Sequence, residues 1–307
     1  MTKEIAAGIA EKKRAIEEAL AGFLRRREDE APPLLLEAMR HGLLTGGKRL
    51  RPLILWAAAE ALEPKIRRED VLPFACALEM IHAYSLIHDD LPSMDNDDLR
   101  RGQPSCHKKF GEAAAILAGD ALLNRAYEIM SDEAAESIDK QGGLTKVLRA
   151  ARASREIAAA AGVFGMVGGQ VLDMLSEGAG EWTHEILNQI HEKKTGALFR
   201  AAVLAGACLA GAERAVLCRF DGLSLKLGRC FQTMDDIFDV ISTAEERGKN
   251  PGGDANRKKL TYVSLHGLDA AKADYARLRA EAVSGFEAEF GRDSEAAAIM
   301  AEALKEL

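Results

Sequence analysis

The chain has 307 residues and a formal net charge of −7; 48% of its residues are hydrophobic and 5% aromatic. This length allows one large domain or two smaller ones. An acidic chain without a block of Lys and Arg lacks the electrostatic footprint of a general nucleic-acid-binding protein. Because Ala and Leu are abundant and runs of β-branched residues are scarce, the composition predicts an all-α protein.

The N-terminus and the cysteines indicate a soluble, cytoplasmic protein. The N-terminal segment MTKEIAAGIAEKKRAIEEAL is charged and amphipathic, and it lacks the apolar core of a signal peptide. After Arg200 the longest uncharged stretch, residues 201–212, is too short to span a bilayer. The 5 cysteines form no C-x-x-C pair, so we expect reduced thiols. We expect no stable membrane span and no nucleic-acid partner.

The first half of the chain predicts helices separated by polar or glycine-containing breaks. These helices cover Ile5–Phe23, the stretch between Pro33 and Gly46, Pro52–Leu62, Val71–His88 and Ala113–Met130. The fourth is apolar nearly all round, which predicts that it is buried. Residues 91–111 are predicted to form a polar loop.

The second half continues in the same way. Helices are predicted over Thr145–Val171, Trp182–Gly211, Glu213–Ile241 and Thr261–Leu265, with surface helices from Asp269 onward. Residues 137–144 and 242–258 are predicted to be loops because they are polar and contain glycine. Since no repeat and no Pro/Ser-rich linker divides the chain, we expect a single all-helical domain over residues 1–307.

A first cluster of carboxylates follows the apolar helix Val71–His88. Residues 88–102 read HDDLPSMDNDDLRRG, in which the acidic residues are Asp89, Asp90, Asp95, Asp97 and Asp98. Because Pro92 cannot continue the helix, we expect the helix to end near Asp90 and a loop to fold Asp95 back toward Asp89.

A second cluster ends the helix Glu213–Ile241, in the sequence FQTMDDIFD. Asp235 and Asp239 lie four residues apart and therefore share one face of the helix. Helix C-termini already carry partial negative charge, so such clusters are unfavourable without cations. Oxygen ligands suit hard cations, and Mg²⁺ above all where phosphate is shared. The two clusters predict a divalent metal that bridges to a phosphorylated ligand.

The acidic residues allow other interpretations. A single acidic pair is more often a solvated helix end than a site. An EF-hand is excluded because Arg100 stands where its loop requires glycine. An H-E-x-x-H zinc site is excluded because His191-Glu192 is followed by Lys193, Lys194 and Thr195.

Basic residues lie near both acidic clusters. They are Lys48, Arg49 and Arg51 in GGKRLRP, Arg100 and Arg101, Lys193 and Lys194, and Lys249, Lys258 and Lys259. Lys suits phosphate as a point charge and Arg as a planar fork. Each residue alone is best explained as a surface charge, but together they predict a cavity for two phosphorylated substrates, one held through metal and one through Lys and Arg.

These motifs resemble the trans-isoprenyl diphosphate synthases, or polyprenyl synthetases. The similarity runs from about Pro33 to Tyr262. It rests on GGKRLRP, DDLPSMD with DLRRG, AGDALL, GGQVLDM, KTGALFRAA, FQTMDDIFD and GKNPGGD…KLTY. The resemblance implies an isoprenoid synthase fold, a helical bundle around a deep central cavity, usually as a homodimer. It also implies condensation of isopentenyl diphosphate with an allylic diphosphate.

The resemblance implies a role for each matching residue. Mg²⁺, about three ions per site, is expected on the allylic diphosphate, with Asp89, Asp95 and Asp235 as ligands and Asp90, Asp236 and Asp239 supporting them. The residues expected at the allylic diphosphate and its reacting carbon are Arg100, Lys194, Lys249, Thr195 and Gln232. Those expected at isopentenyl diphosphate are Lys48, Arg51, His82 and Arg101. No side-chain nucleophile is expected.

Product length is expected to depend on Tyr84, five residues before Asp89. In similar bacterial synthases an aromatic residue here accompanies the C15 product, farnesyl diphosphate. The alternative is the C20 product, because helix geometry places Ser85 rather than Tyr84 in line with Asp89. The chain ends in EALKEL, without the basic tail that some relatives use to close the site.

Two rival functions share part of this pattern. A terpene cyclase shares the fold and the first aspartate motif, but GGKRLRP and the second aspartate cluster argue against it. A non-enzymatic scaffold, or a regulatory subunit of a heteromeric synthase, is disfavoured because both aspartate motifs are complete.

Overall fold

The computed structural model describes residues 2–26, 28–138, 143–176, 183–241 and 260–304. The first helices are α1 (Lys3–Arg25), α2 (Pro33–Leu44), α3 (Leu50–Leu62), α4 (Arg68–Asp89), α5 (Cys106–Phe110), α6 (Glu112–Glu136) and α7 (Gly143–Ala161). The others are α8 (Met166–Leu175), α9 (His184–Ile190), α10 (Ala197–Leu209), α11 (Arg214–Ile241), α12 (Tyr262–His266), α13 (Leu268–Phe290) and α14 (Glu295–Ala303). A 3₁₀ turn (Glu28–Glu30) and a π-helix (His191–Gly196) complete the helical elements of the described ranges.

The all-α prediction is confirmed, and local chemistry explains where several helices begin. The hydroxyl of Thr2 accepts a hydrogen bond from the backbone N–H of Ile5 at 3.3 Å and so caps α1. Pro33 stands at the first position of α2, where its missing N–H costs nothing. The side chain of Ser294 caps α14 in the same way as Thr2 caps α1.

Two predicted elements were wrong. Residues 91–111 are not all loop: β1 (Leu99–Arg100) pairs antiparallel with β2 (Gln103–Pro104), and α5 follows. The helix predicted over Thr145–Val171 is two helices, α7 and α8, because residues 162–165 form a bend and turn between them. The predicted loop 242–258, and Lys249 with it, lies outside the described residues.

Helices α4 and α10 form the centre of the bundle. α4 packs most extensively against α6, and α10 packs against α3, α7 and α11. Nearly every residue of α10 is buried, and so are most of those in α4. Because these helices are enclosed, the acidic end of α4 and the start of α10 are held in fixed positions at the same end of the bundle.

Two segments are long and apolar enough to cross a membrane by length and composition alone, Arg68–Asp89 and Gly143–Leu175. The first is α4, which is mostly buried within the protein and serves as a core helix. The second contains the turn between α7 and α8 and is less buried.

Candidate active site

The first aspartate motif folds back on itself as expected. Helix α4 ends at Asp89, and the backbone N–H of Asp95 donates to the carbonyl oxygen of Asp89 at 2.8 Å. Asn96 takes a left-handed conformation, with φ of 51°, immediately after this contact. The loop therefore returns Asp95 to the end of α4, as the sequence predicted.

Asp90 is turned into the protein rather than toward the site. It is 2% exposed, and the Nε of Arg100 donates to both of its carboxylate oxygens at 3.0 Å. Arg100 also lies 3.4 Å from Asp97. Burial acts to lower the pKa of Arg100, but the hydrogen bond to Asp90 raises it overall. This buried ion pair fixes the loop that carries Asp95.

Lys194 stands on the π-helix, directly before α10, among the acidic groups. Its Nζ donates to Asp173 of α8 at 2.5 Å. Burial acts to lower its pKa, yet three carboxylates raise the pKa well above the ordinary value for lysine. They belong to Asp89, Asp173 and Asp95. Lys194 is therefore a permanent cation beside the first aspartate motif.

Helix α8 supplies two site residues for which the sequence analysis assigned no role. The amide of Gln170 donates to Asp89 Oδ1 at 2.5 Å, and Asp173 accepts from Lys194. The two residues lie three positions apart and so share one helix face. A polar pair at that spacing in GGQVLDM was the available signal in the sequence.

A hydrogen-bonded chain connects the π-helix to the second aspartate motif on α11. Thr195 Oγ1 donates to Gln232 Oε1 at 2.5 Å, and Gln232 Nε2 donates to Asp236 Oδ1 at 2.9 Å. Because Gln232 accepts through its amide oxygen and donates through its amide nitrogen, the orientation of the amide is fixed. The structure thus brings together the predicted residues Thr195 and Gln232.

Asp236 is buried and receives further contacts on its other oxygen. The backbone N–H of Tyr262 donates to Asp236 Oδ2 at 2.6 Å, and His191 Nε2 lies 3.3 Å from the same atom. Its neighbour Asp235 is exposed, so the two adjacent carboxylates face opposite environments. The metal-binding role expected for Asp235 and the supporting role expected for Asp236 stay predictions.

The close approach of the π-helix to α11 depends on two glycines. A Cβ on Gly228 would lie 2.5 Å from the Cα of Gly196, a distance that real carbon contacts do not reach. The absence of both side chains lets the two helices touch along their backbones. Thr195 can therefore reach Gln232 across the contact.

A second subsite, the cationic subsite, lies around α3 and α4 and contains Arg51, Arg101 and Lys48 beside His82. Arg51 Nη1 lies 3.4 Å from His82 Nε2, and its guanidinium lies over the ring of Phe199 at 4.3 Å. Burial lowers the pKa of Arg51 to about 10. Burial and the charge of Arg51 hold the pKa of His82 well below its ordinary value, so His82 is neutral at pH 7.

Arg101 closes the other side of this subsite. Its guanidinium donates to the carbonyl oxygen of Gly46 and packs over Gly47, where an added Cβ would lie 3.0 Å from its Cζ. Gly47 also has a φ of 132°, which favours glycine. Burial lowers the pKa of Arg101. Lys48 is exposed on the same loop, so the residues predicted for isopentenyl diphosphate that the structure describes lie around one surface.

Tyr84 lies on the side of α4 that faces α6. Its ring meets the ring of His88 edge-on, with centroids 5.6 Å apart, and His88 Nε2 contacts the carbonyl oxygen of Ile116 at 3.0 Å. The side chain is 7% exposed. Burial, together with Tyr127 and Asp120 of α6, raises its pKa, so the phenol stays protonated.

The arrangement of the carboxylates suits Mg²⁺ that arrives together with a diphosphate, and it does not form a complete metal site by itself. Among the described residues, no three His, Cys, Asp or Glu side chains are grouped closely enough to hold a metal by themselves. Mg²⁺ commonly binds through one or two carboxylates, with water and substrate phosphate filling its other positions. The acidic surroundings of Lys194 provide this kind of partial donor set.

Comparison with known proteins gives a consistent result. The polyprenyl synthetase family matches residues 32–300. The farnesyl diphosphate synthase of Geobacillus stearothermophilus is 45% identical over 268 residues, covering 87% of this chain and 86% of the relative. The geranylgeranyl diphosphate synthase of Cyanophora paradoxa is 43% identical, covering 84% of this chain and 82% of the relative.

A solved structure agrees with these relatives. The Helicobacter pylori geranyltransferase, crystallised with magnesium and isoprenyl diphosphate, superposes with a TM-score of 0.80 at 28% identity, covering 99% of this chain and 96% of the other. Since sequence and structure match over most of the chain, the resemblance seen in the motifs is confirmed, and the chain belongs to the polyprenyl synthetase family.

Proposed function

We propose that this protein is a magnesium-dependent short-chain prenyltransferase that condenses isopentenyl diphosphate with dimethylallyl or geranyl diphosphate. Farnesyl diphosphate is its main product. The observation that carries this proposal is the position of the π-helix. The charge of Lys194 interacts with the first aspartate motif, and Thr195 hydrogen-bonds Gln232 in the second. Relatives at 45% and 41% identity are named farnesyl diphosphate synthase and dimethylallyltranstransferase, which supports it.

The allylic diphosphate binds at the aspartate motifs. Asp89, Asp95 and Asp235 would hold Mg²⁺, about three ions in all, which would supply positive charge to neutralise the departing pyrophosphate. Lys194 remains charged at neutral pH and stabilises the same charge. The family resemblance assigns Arg100 and Lys249 to the same diphosphate.

Isopentenyl diphosphate binds at the cationic subsite. Arg51 Nε is buried and has no hydrogen-bond partner among the described residues, an unfavourable arrangement that an anionic ligand would relieve. Arg101 and Lys48 supply further positive charge. His82, which is neutral, can donate one hydrogen bond without adding repulsion to the neighbouring arginines.

The reaction follows from this division of charge. Departure of pyrophosphate leaves an allylic cation, and the double bond of isopentenyl diphosphate attacks it. Thr195 and Gln232 lie near the reacting carbon, where their fixed oxygen atoms present dipoles to positive charge. The released pyrophosphate accepts the final proton. Every step proceeds without a side-chain nucleophile.

Product length is set beneath the first aspartate motif. The ring of Tyr84, buried between α4 and α6, limits the space for a growing chain and favours the C15 product. A C20 product remains the second candidate, because a geranylgeranyl diphosphate synthase is 43% identical to this chain.

The protein works as a cytoplasmic homodimer of single-domain chains spanning residues 1–307. An apolar groove between α2 and α6, lined by Leu34, Leu35 and Leu117 among others, is open on the surface. In the turn between α7 and α8, Phe164 is 88% exposed. Exposed apolar surface of this extent suits burial against a second copy. All five cysteines are free, as in a reducing compartment.

The decisive experiment is an assay for pyrophosphate release with isopentenyl and dimethylallyl diphosphates, with and without Mg²⁺. We expect release that needs both substrates and the metal, and a C15 product by chromatography. Release from an allylic diphosphate alone would indicate a terpene cyclase. Absence of release with every allylic starter would refute the synthase.

A further inference from the structure

The loop GGKRLRP contains three basic residues that are indistinguishable in sequence, but the structure separates them. Lys48 is exposed and Arg51 lines the cationic subsite, whereas the side chain of Arg49 is fully buried. Arg49 also has a left-handed backbone, with φ of 53°. Residues other than glycine seldom adopt this conformation, and they keep it only where surrounding contacts hold it.

The contacts of Arg49 join three helices at the base of the loop. Its Nε and Nη2 donate to the two oxygens of Glu17 in α1 at 2.7 and 3.2 Å. Its Nη1 donates to Glu79 in α4 at 2.7 Å, and Nη2 also donates to the carbonyl oxygen of Leu43 in the last turn of α2 at 2.7 Å. The guanidinium is thus held on every side by protein acceptors.

These contacts leave Arg49 unable to serve as a phosphate ligand. Four of its five N–H donors already bond to protein oxygens, and its side chain is fully buried. Lysine could supply the charge at this position but not the fork. The position therefore requires the planar donor geometry of arginine, and that geometry is used to fix the loop.

We propose that Arg49 is a positioning residue for the isopentenyl diphosphate subsite. It holds the backbone of the loop so that Lys48 on one side and Arg51 on the other meet the diphosphate together. This inference rests on the proposed function, and it assigns Arg49, Glu17 and Glu79 to a role distinct from ligand contact.

The charge of the network supports the same role. Glu79 is buried beside Arg49, and its negative charge also acts to raise the pKa of Arg51 and of Arg101. The carboxylate thus offsets repulsion among arginines that must stay close before any diphosphate arrives. Arg49 keeps that carboxylate in place.

The test compares Arg49→Lys and Glu17→Gln with the wild-type protein in steady-state assays that vary each substrate separately. Glu17→Gln is the milder change, since it keeps an acceptor and the residue is partly exposed. Arg219→Lys is the matched control. Arg219 forks onto Glu289 at 2.8 and 3.3 Å, between α11 and α13, outside the proposed subsites. Circular dichroism establishes that each variant is folded.

We expect the KM for isopentenyl diphosphate to rise about tenfold in Arg49→Lys and less in Glu17→Gln. The KM for the allylic substrate should stay within about twofold, and Arg219→Lys should match the wild type. An equal rise in both KM values, or a lower melting temperature with both KM values unchanged, would overturn the role inferred for Arg49. The proposed function would stand. Should Arg49→Lys not fold, the KM values of Glu17→Gln decide. A wild-type protein that neither binds nor consumes isopentenyl diphosphate would overturn the proposed function as well.

Discussion

Replacing Gly228 by alanine tests whether backbone contact between the π-helix and α11 sets the catalytic geometry. The new Cβ would stand 2.5 Å from Gly196 Cα. Carbon atoms in contact are ordinarily about 3.5–4.0 Å apart, so the helices must separate by roughly 1 Å. The hydrogen bond from Thr195 to Gln232, now 2.5 Å, would then open to about 3.5 Å and be lost.

A displacement of about 1 Å in a catalytic group can lower turnover roughly 100-fold. Overpacking of this kind also costs about 1–3 kcal/mol of stability. We therefore expect Gly228→Ala to fold with a lower melting temperature and to lose about two orders of magnitude in kcat. The assay is initial-rate pyrophosphate release at saturating substrates, with thermal unfolding followed by circular dichroism.

Gly222→Ala is the control on the same helix. Nothing lies within 4 Å of a Cβ at Gly222, so this change should stabilise α11 by about 0.5–1 kcal/mol and leave kcat unaltered. If Gly228→Ala retains more than a third of wild-type kcat, the glycine contact does not position Thr195 and Gln232, and our account of this part of the site is wrong.

Three further predictions concern the two subsites and the product. Asp89→Ala and Asp235→Ala should each reduce turnover by several orders of magnitude with unchanged helical content by circular dichroism, since each removes a charged metal ligand; a loss of folding would instead mean a structural role. Tyr84→Ala should lengthen the product, measured by chromatography, and an unchanged C15 product would show that the ring does not limit the growing chain. Because the pKa of Arg51 is lowered to about 10, its positive charge is lost as the pH rises through that value, and the KM for isopentenyl diphosphate should climb there; the same climb in Arg51→Gln would refute this origin.

The helices of the core could be predicted because their apolar pattern is local. The apolar run of α4 and the amphipathic pattern of α11 are visible in short windows, and their acidic ends follow directly in sequence. The β1–β2 hairpin was missed because strands of two residues have no periodicity to detect. The break between α7 and α8 coincides with Gly162 and Gly165, whereas the sequence pattern predicted one helix over Thr145–Val171.

The site was predictable in its residue types and less so in its contacts. The two aspartate motifs and Lys194 carry charges whose clustering is evident from sequence. By contrast, Gln170 meets Asp89 across 81 positions, and that pairing depends on how α8 packs on the π-helix. Arg49 and Arg51 are the same residue type, but the left-handed backbone at Arg49 accompanies a buried side chain there. Residue types alone do not specify that backbone angle.

The π-helix has a consequence for how this protein can change. A π-helix is hydrogen-bonded between residues five apart, so its turn contains about one residue more than an α-helical turn. Deleting a residue between Lys194 and α10 would let ordinary α-helical winding resume and would turn Lys194 about the helix axis relative to α10. Such a deletion would redirect the cation that stands beside the first aspartate motif, so protein engineering should leave this turn intact.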